Sequence, residues 1–321
     1  MKKAFTLIEL VVAISLLALI FLFASMIFRV SIDSYRISIA NAEIMQKFRT
    51  ITAQLNSDFR GIRKDAPLLI WFEKDPADPS QRFDQIMFFA NGDFQSIQLY
   101  DIPPGEPDPA GDKPVFGSVA RIFYGQANAG SGLPSEDPIN LPEEDRLLAR
   151  RQHILTADHD LLQWHGSYLR DFDYYGNERY EYDWFSLAQW KLIIESIYRN
   201  KIIPNCFDFR PLVDMTDPNT FHKLMCQGLG SFSIQWAYWD AGNDLKWFPE
   251  VPDFSGANKF GIYFNISPPG GPISKWYEGI AAGHDYPKAL KFTFRLYDSK
   301  GIIKQDGTPG REFTHIVYLD N

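Results

Sequence analysis

The sequence predicts an α+β fold: one long N-terminal helix followed by a domain built on antiparallel sheet. Three observations predict it. A charge-free apolar run extends from Leu10 to Phe28, about the length that spans a bilayer core. Apolar residues then recur at spacings of three and four through Ile37, Ala40, Ile44, Phe48, Ile51, Leu55, Phe59 and Ile62, which marks one face of a helix. Beyond Pro67 the chain turns to short apolar or alternating segments separated by Pro- and Gly-rich stretches, the pattern of strands and turns.

The first helix is expected from about residue 6 to about residue 62. Arg36, Lys47, Arg49, Asn56 and Arg60 lie largely off its apolar stripe, Gly61 is a weak point near its end, and Pro67 closes the pattern. Residues 5–28 are expected to meet lipid. Residues 29–66 are expected to pack on a domain formed by residues 67–321. A coiled coil is the competing reading of the second half, but the stripe lasts only about four heptads and contains the small Ala40.

Leu68–Phe72 is a short apolar strand. Gln85–Ala90, the tripeptide Asn91-Gly92-Asp93 and Phe94–Tyr100 read as a hairpin, because Asn-Gly between apolar segments favours a two-residue turn. Residues 101–118 read as a loop, Val119–Tyr124 as a strand, 126–145 as a second loop with Pro134, Pro138 and Pro142, and Leu147–Leu155 as a strand. Residues 157–228 look like an insertion, with a helix from Ser186 to Asn200 whose first residue is of N-cap type. From Leu229 to Trp239 the pattern alternates, so Phe232, Ile234, Trp236 and Tyr238 should face one way. A turn at Asp240–Asp244 leads to Leu245–Pro249, residues 250–286 read as loop, and Pro287–Tyr297 is a strand. Asp298–Arg311 forms a long connection, and Glu312–Leu319 returns as a strand.

The N-terminus carries the sharpest signal: Lys2 and Lys3, the small Ala4, then Phe5-Thr6-Leu7-Ile8-Glu9 at the mouth of the apolar run. A carboxylate bordering a membrane helix is costly unless something pairs with it. A secretory signal peptide would have a shorter apolar region and a small-residue cleavage site after it. A plain anchor would explain the length but not Glu9. The stretch resembles the N-terminal signature of type IV pilins and type II secretion pseudopilins. The resemblance implies a leader of residues 1–4 and cleavage by a prepilin peptidase between Ala4 and Phe5, although this chain has Ala4 where the family usually has Gly. It also implies methylation of the new N-terminus on Phe5. Glu9, one helical turn on, would meet the amine of a neighbouring subunit and set axial register. A helix N-terminal acid favoured by the macrodipole is the simpler reading of Glu9. Lys2 and Lys3 place the N-terminus in the cytoplasm by the positive-inside tendency, which leaves the domain on the far side of the inner membrane, in the periplasm.

A second resemblance is finer. Leu229–Phe248, an alternating aromatic strand followed by a turn and a Trp-rich segment, together with Pro287–Tyr297, is similar to the J-type minor pseudopilin of type II secretion. Gln46–Arg63, with Leu55, Asp58 and Ile62, resembles that family's helix-to-strand junction. The resemblance implies a structural subunit near the tip of a pseudopilus, beside I- and K-like minor subunits and above the major pseudopilin. The chain is longer than typical members through residues 101–145, 157–228 and 250–286, and such bulk suits a tip better than a repeating shaft. Two other readings stand beside it. One is a minor type IV pilin in adhesion or DNA uptake; the other is a membrane-anchored binding domain or hydrolase.

The 321 residues include 26 Phe, 15 Tyr and 8 Trp, ample for a core. The formal net charge is −8, and losing Lys2 and Lys3 takes it to −10. No basic patch of nucleic-acid type is present, so nucleic acid is not expected as a partner. Cys206 and Cys226 would close one disulfide in an oxidising compartment; two buried thiols that never meet is the alternative. No cofactor is expected. Asp171, Asp173, Asn177 and Glu178 form a weak calcium candidate on an acidic, aromatic loop, and a solvated loop is the default. Asp158-His159-Asp160 crowds acid and imidazole together but reads as a turn. The histidines are scattered, with no His-Glu-x-x-His or Gly-x-Ser-x-Gly, so an enzyme is not expected. Trp164, Trp184, Trp190, Trp236, Trp239, Trp247 and Trp276 fall mostly within predicted elements, where core packing is commoner than sugar stacking.

Overall fold

The computed structural model describes residues 6–73, 81–99, 114–129, 146–156, 181–183, 186–192, 210–213, 218–240, 242–248, 259–264 and 286–319. Helix α1 (Leu7–Arg60) leads, as the periodicity predicts. The strands that follow are β1 (Leu68–Glu73), β2 (Gln85–Leu99), β3 (Pro114–Gln126), β4 (Asn128–Ala129), β5 (Leu147–Leu155), β6 (Tyr182–Asp183), β7 (Leu212–Val213) and β8 (Leu224–Gln227). They continue with β9 (Leu229–Trp239), β10 (Leu245–Phe248), β11 (Lys259–Phe264), β12 (Ala289–Leu296), β13 (Lys304–Gln305), β14 (Thr308–Pro309) and β15 (Arg311–Tyr318).

Two mainly antiparallel sheets form the body. One has the order β11-β1-β2-β3-β5-β6, with β8 also pairing β5; the other is β10-β9-β12-β15. The second half of α1 buries Ala40, Ile44, Ile51, Leu55 and Phe59. Ile44, Ile51, Leu55 and Phe59 join a single core with Phe72, Phe88, Ile122, Tyr124, Phe232, Ile234, Phe292 and Phe294 from both sheets. Phe59 stacks on Phe88 with ring centroids 4.2 Å apart, and Phe48 stacks on Phe313 at 4.6 Å. The alternation of β9 holds: Phe232, Ile234, Trp236 and Tyr238 all enter this core. A second cluster, with Leu69, Trp71, Met87, Phe89 and Phe123, covers the opposite face of the larger sheet. It is closed by the fully buried Trp190 from the helical residues 187–192, and that helix begins where Ser186 predicts. The remainder of the expected helix, 193–200, lies outside the described residues.

A buried carboxylate joins the sheets. Asp84, fully buried, accepts hydrogen bonds from the Arg82 guanidinium and, at 2.7 Å, from the Ile234 N–H. The backbones of Asp84 and Phe232 bond at 2.7 Å, so the entry to β2 is stitched to β9 by charge and by main chain.

Three sequence expectations need correction. The Asn91-Gly92-Asp93 hairpin does not form. β2 runs straight through it as one strand pairing β3, with a register shift between Asn91 and Phe94. Neither Asn91 nor Gly92 has the positive φ that the turn demands. Tertiary bonding decides this: Asn91 N–H donates to Gly61 O (2.7 Å) and Arg63 N–H to Phe89 O (2.8 Å), while Ala90 and Asn91 pair Ala120 and Val119 on the other edge. With both edges occupied the segment stays extended, and the Gly is absorbed as a bulge. Second, the loops 101–118 and 250–286 are not wholly loop: β3 begins at Pro114, and β11 pairs β1 along its whole length. Third, the insertion 157–228 ends inside the sheet, because β8 pairs β5. Cys226 sits on β8, buried, with a free thiol. Cys206, its expected partner, lies outside the described residues, as do Asp158–Asp160 and the calcium candidates Asp171, Asp173, Asn177 and Glu178.

Candidate assembly site

The N-terminal half of α1 stands free of the domain. Every large apolar side chain from Leu7 to Phe28 is more than half exposed, whereas burial begins only at Ala40. At 1.5 Å per residue, Leu10–Phe28 extends about 28 Å, close to a hydrocarbon core of ~30 Å. The helix therefore has the length and composition to cross a membrane. A helix that is apolar all round must bury itself in lipid or among neighbours.

Its start is defined by side chains. Thr6 is the N-cap: its hydroxyl accepts from the Glu9 N–H, and Glu9 Oε2 accepts from the Thr6 N–H and hydroxyl, both at 2.9 Å. This reciprocal capping box satisfies two donors at the helix mouth and orients the Glu9 carboxylate back toward the N-terminus. Ala4 and Phe5 lie outside the described residues.

The other end of the helix is locked to the domain at three levels. Lys47 donates to the Tyr297 carbonyl at 2.7 Å and pairs with Glu43 at 2.8 Å. Glu43 also accepts from the Ser299 N–H (3.0 Å) and hydroxyl (2.9 Å). Burial opposes its ionisation, but Lys47 and Ser299 outweigh that and hold its carboxyl below the usual range. Higher up, Asn56 Oδ1 lies 2.9 Å from His315 Nε2 on β15.

The third lock is the most deeply buried. Asp58, only 5% exposed, accepts a fork from Arg150 on β5: Nε to Oδ2 at 2.7 Å and Nη2 to Oδ1 at 2.9 Å. The Tyr124 hydroxyl on β3 donates to the same carboxylate, and Gln54 donates at 3.1 Å. Burial, then the Asp58 charge, pushes the Tyr124 phenol well above its ordinary pKa, so it remains a donor. Burial alone would lower the Arg150 pKa, but its bonds and charge pairing with Asp58 raise it instead. Asp58 and Arg150 are 92 residues apart, and no local pattern in the sequence pairs them. The available signal was a carboxylate inside the apolar stripe, between Leu55 and Phe59, and an arginine inside a strand of buried residues.

The aromatic residues divide in the same sense. Trp190 and Trp236 are core, and Trp239 is exposed; Trp164, Trp184 and Trp276 lie outside the described residues. Among the described residues, no three His, Cys, Asp or Glu side chains group so as to hold a metal ion.

Comparison with known proteins bears on the N-terminus alone. The family described as the Prokaryotic N-terminal methylation motif matches residues 1–25. No curated protein and no solved structure matches the chain. The match supports a pilin-like precursor of the prepilin type, which implies processing by a prepilin peptidase and assembly with pilin-type partners.

Proposed function

We propose that this chain is a minor pseudopilin, a structural subunit near the tip of a type II secretion pseudopilus. One observation carries the proposal. A capped helix start with a poised carboxylate, Thr6 to Glu9, heads a membrane-length apolar segment whose large apolar side chains are all more than half exposed. Such a segment needs partners, and a neighbouring subunit's helix and N-terminal amine are the partners its chemistry fits. In low dielectric, an unpaired Glu9 is costly and a Glu9 paired with an amine much less so. That difference gives the subunit its register in the filament.

The J-like assignment draws support from pairing. The two segments that carry the resemblance, within Leu229–Phe248 and Pro287–Tyr297, are the adjacent strands β9 and β12. The domain widens one sheet to seven strands, which suits a subunit at an end, beside I- and K-like subunits, better than one repeated along a shaft. In this role the domain is periplasmic, the span lies in the inner membrane, and the major pseudopilin lies below.

Intact mass and N-terminal sequencing of the protein from membranes, with and without the host's prepilin peptidase, test the proposal. The expected product begins at methylated Phe5 and appears only with the peptidase. A chain beginning at Met1 in both strains refutes it. Crosslinking of the processed chain to I- and K-like subunits, with loss of secretion on deletion, separates the pseudopilus from a type IV pilus. In the pilus case, deletion would instead abolish adhesion or DNA uptake.

A further inference from the structure

We infer that the membrane-proximal underside of the domain is a docking surface for anionic phospholipid headgroups of the bilayer that holds α1. The inference rests on the membrane reading of Leu7–Phe28 and goes beyond the assembly role.

Position comes first. Going down α1 toward the span, its contacts run from Asn56 against His315, through Phe48 against Phe313, to Glu43 against Ser299. Among the described residues, the connection between β12 and β15 is therefore the part of the domain nearest the membrane. It forms a groove of about 600 Å³ with the helix, lined by Ile37, Asn41, Ile302, Ile303, Lys304 and Arg311 among others. Ile37 lies nine residues above Phe28, or about 14 Å along the axis. The charged headgroup layer fills roughly the first half of that gap.

Charge comes second. Lys300, Lys304 and Arg311 are exposed on this connection, and Arg29 and Arg36 are exposed on the helix below it. The opposing acids are Asp33, Asp306 and Glu312, the last paired with Arg295 at 3.6 Å, with Asp298 and Glu43 held by their own hydrogen bonds. The underside is thus net positive on a chain whose net charge is −8. The cations at the rim of this groove stand about 7 Å beyond the headgroup layer, which long Lys and Arg side chains reach toward and which lies within a Debye length. Basic residues this close to a membrane surface are drawn to anionic lipid within a Debye length.

Shape comes third. The arm is built to hold its place. Asp298 accepts from the backbone N–H groups of Lys300, Ile302 and Ile303. Asp306 and Gly307, at φ 53° and 80°, make a tight turn between β13 and β14. Gly310 N–H closes the base onto Ile303 O at 2.9 Å.

The test is amide hydrogen exchange on the full-length protein in nanodiscs of phosphatidylcholine alone or with one third phosphatidylglycerol. The inference expects exchange across residues 299–311 to slow several-fold with the anionic lipid only. It expects the slowing to vanish in about 0.5 M salt and in the double variant K304E/R311E, whose unfolding midpoint should match the parent. Equal exchange in the two lipids overturns the inference. Slowing that grows with protein concentration in either lipid also overturns it, because the face then meets another protein copy. Failure to enter nanodiscs at all refutes the membrane reading on which it stands, a result distinct from equal exchange in a protein that has inserted.

Discussion

Replacing Asp58 by Ala should detach the helix from its domain more effectively than any apolar truncation of the stripe. The Asp58 carboxylate is 4% exposed and the Arg150 side chain 16%, so the change leaves a guanidinium largely out of water with no counter-charge. Removing one partner of a buried pair costs about 3–5 kcal/mol. The Tyr124 hydroxyl and the Gln54 amide also lose their acceptor, and each bond left unmade inside a protein costs roughly 1–3 kcal/mol. Residual water access at Arg150 tempers the sum, and we expect about 3–5 kcal/mol in total. Urea unfolding of the full-length protein in nanodiscs, followed by tryptophan fluorescence, measures it, since Trp71 and Trp236 lie in the two main clusters. The double variant D58A/R150M should lose clearly less than the sum of the single losses, because it removes both charges together. R150K should resemble the loss of one bond of the fork, since an ammonium cannot donate in that paired geometry. A D58A loss below about 1 kcal/mol, or additive single losses, would refute the assignment of this cluster as the helix lock.

Three further outcomes follow from the same structure. Gly61→Ala should destabilise by at least about 1–3 kcal/mol in the same urea assay, because a Cβ there would lie 1.9 Å from the Asn91 carbonyl oxygen. Asp298→Asn should speed amide exchange at Lys300, Ile302 and Ile303. In the parent, burial opposes ionisation of Asp298, but these N–H groups outweigh it and keep the folded pKa below the unfolded one. The stabilisation is therefore present above the ordinary aspartate range near 4 and is lost as pH falls through the lowered value, so the same amides should open in acid. Finally, Cys226, whose thiol burial pushes up to about 12, should resist iodoacetamide while folded and react on unfolding without reductant. A requirement for reductant would establish a disulfide to Cys206 instead.

The helix was legible because its information is local. Spacings of three and four between Ala40 and Phe59 report a face directly, and the change from an unbroken apolar run to a stripe marks where lipid gives way to the domain. The alternation in Leu229–Trp239 is local in the same sense. What escaped depended on partners far away in the chain. Asn91-Gly92 is a sound turn signal by itself, yet the helix end at Gly61–Arg63 occupies one edge of that segment and β3 the other. Lys259–Phe264 is largely apolar and aromatic but short, interrupted by Gly261 and set in a Pro- and Gly-rich stretch that reads as loop; full-length pairing with β1 makes it a strand. The capping box was in plain view as Thr6-Leu7-Ile8-Glu9. Glu9 closes the helix start whether or not it also meets a neighbouring amine.

These features give the long helix an ordered mechanical logic. Its lower half has no tertiary contact among the described residues, so under the proposed role it could pass from lipid into a filament with the domain intact. Its upper half ends in contacts of increasing specificity: a half-buried pair at Glu43 and Lys47, apolar stripe packing from Ala40 to Phe59, and the forked Asp58–Arg150 bond. Apolar packing alone tolerates a helix sliding by a turn, because stripe residues recur every three or four positions. A bidentate charge pair does not, since a shift of one turn along the axis, about 5.4 Å, would bury both charges unpaired. Asp58 therefore fixes the register of helix on domain, as Glu9 is proposed to fix the register of subunit on subunit. Under that proposal a carboxylate defines position at each end of one rod, and the apolar surface between them supplies the affinity.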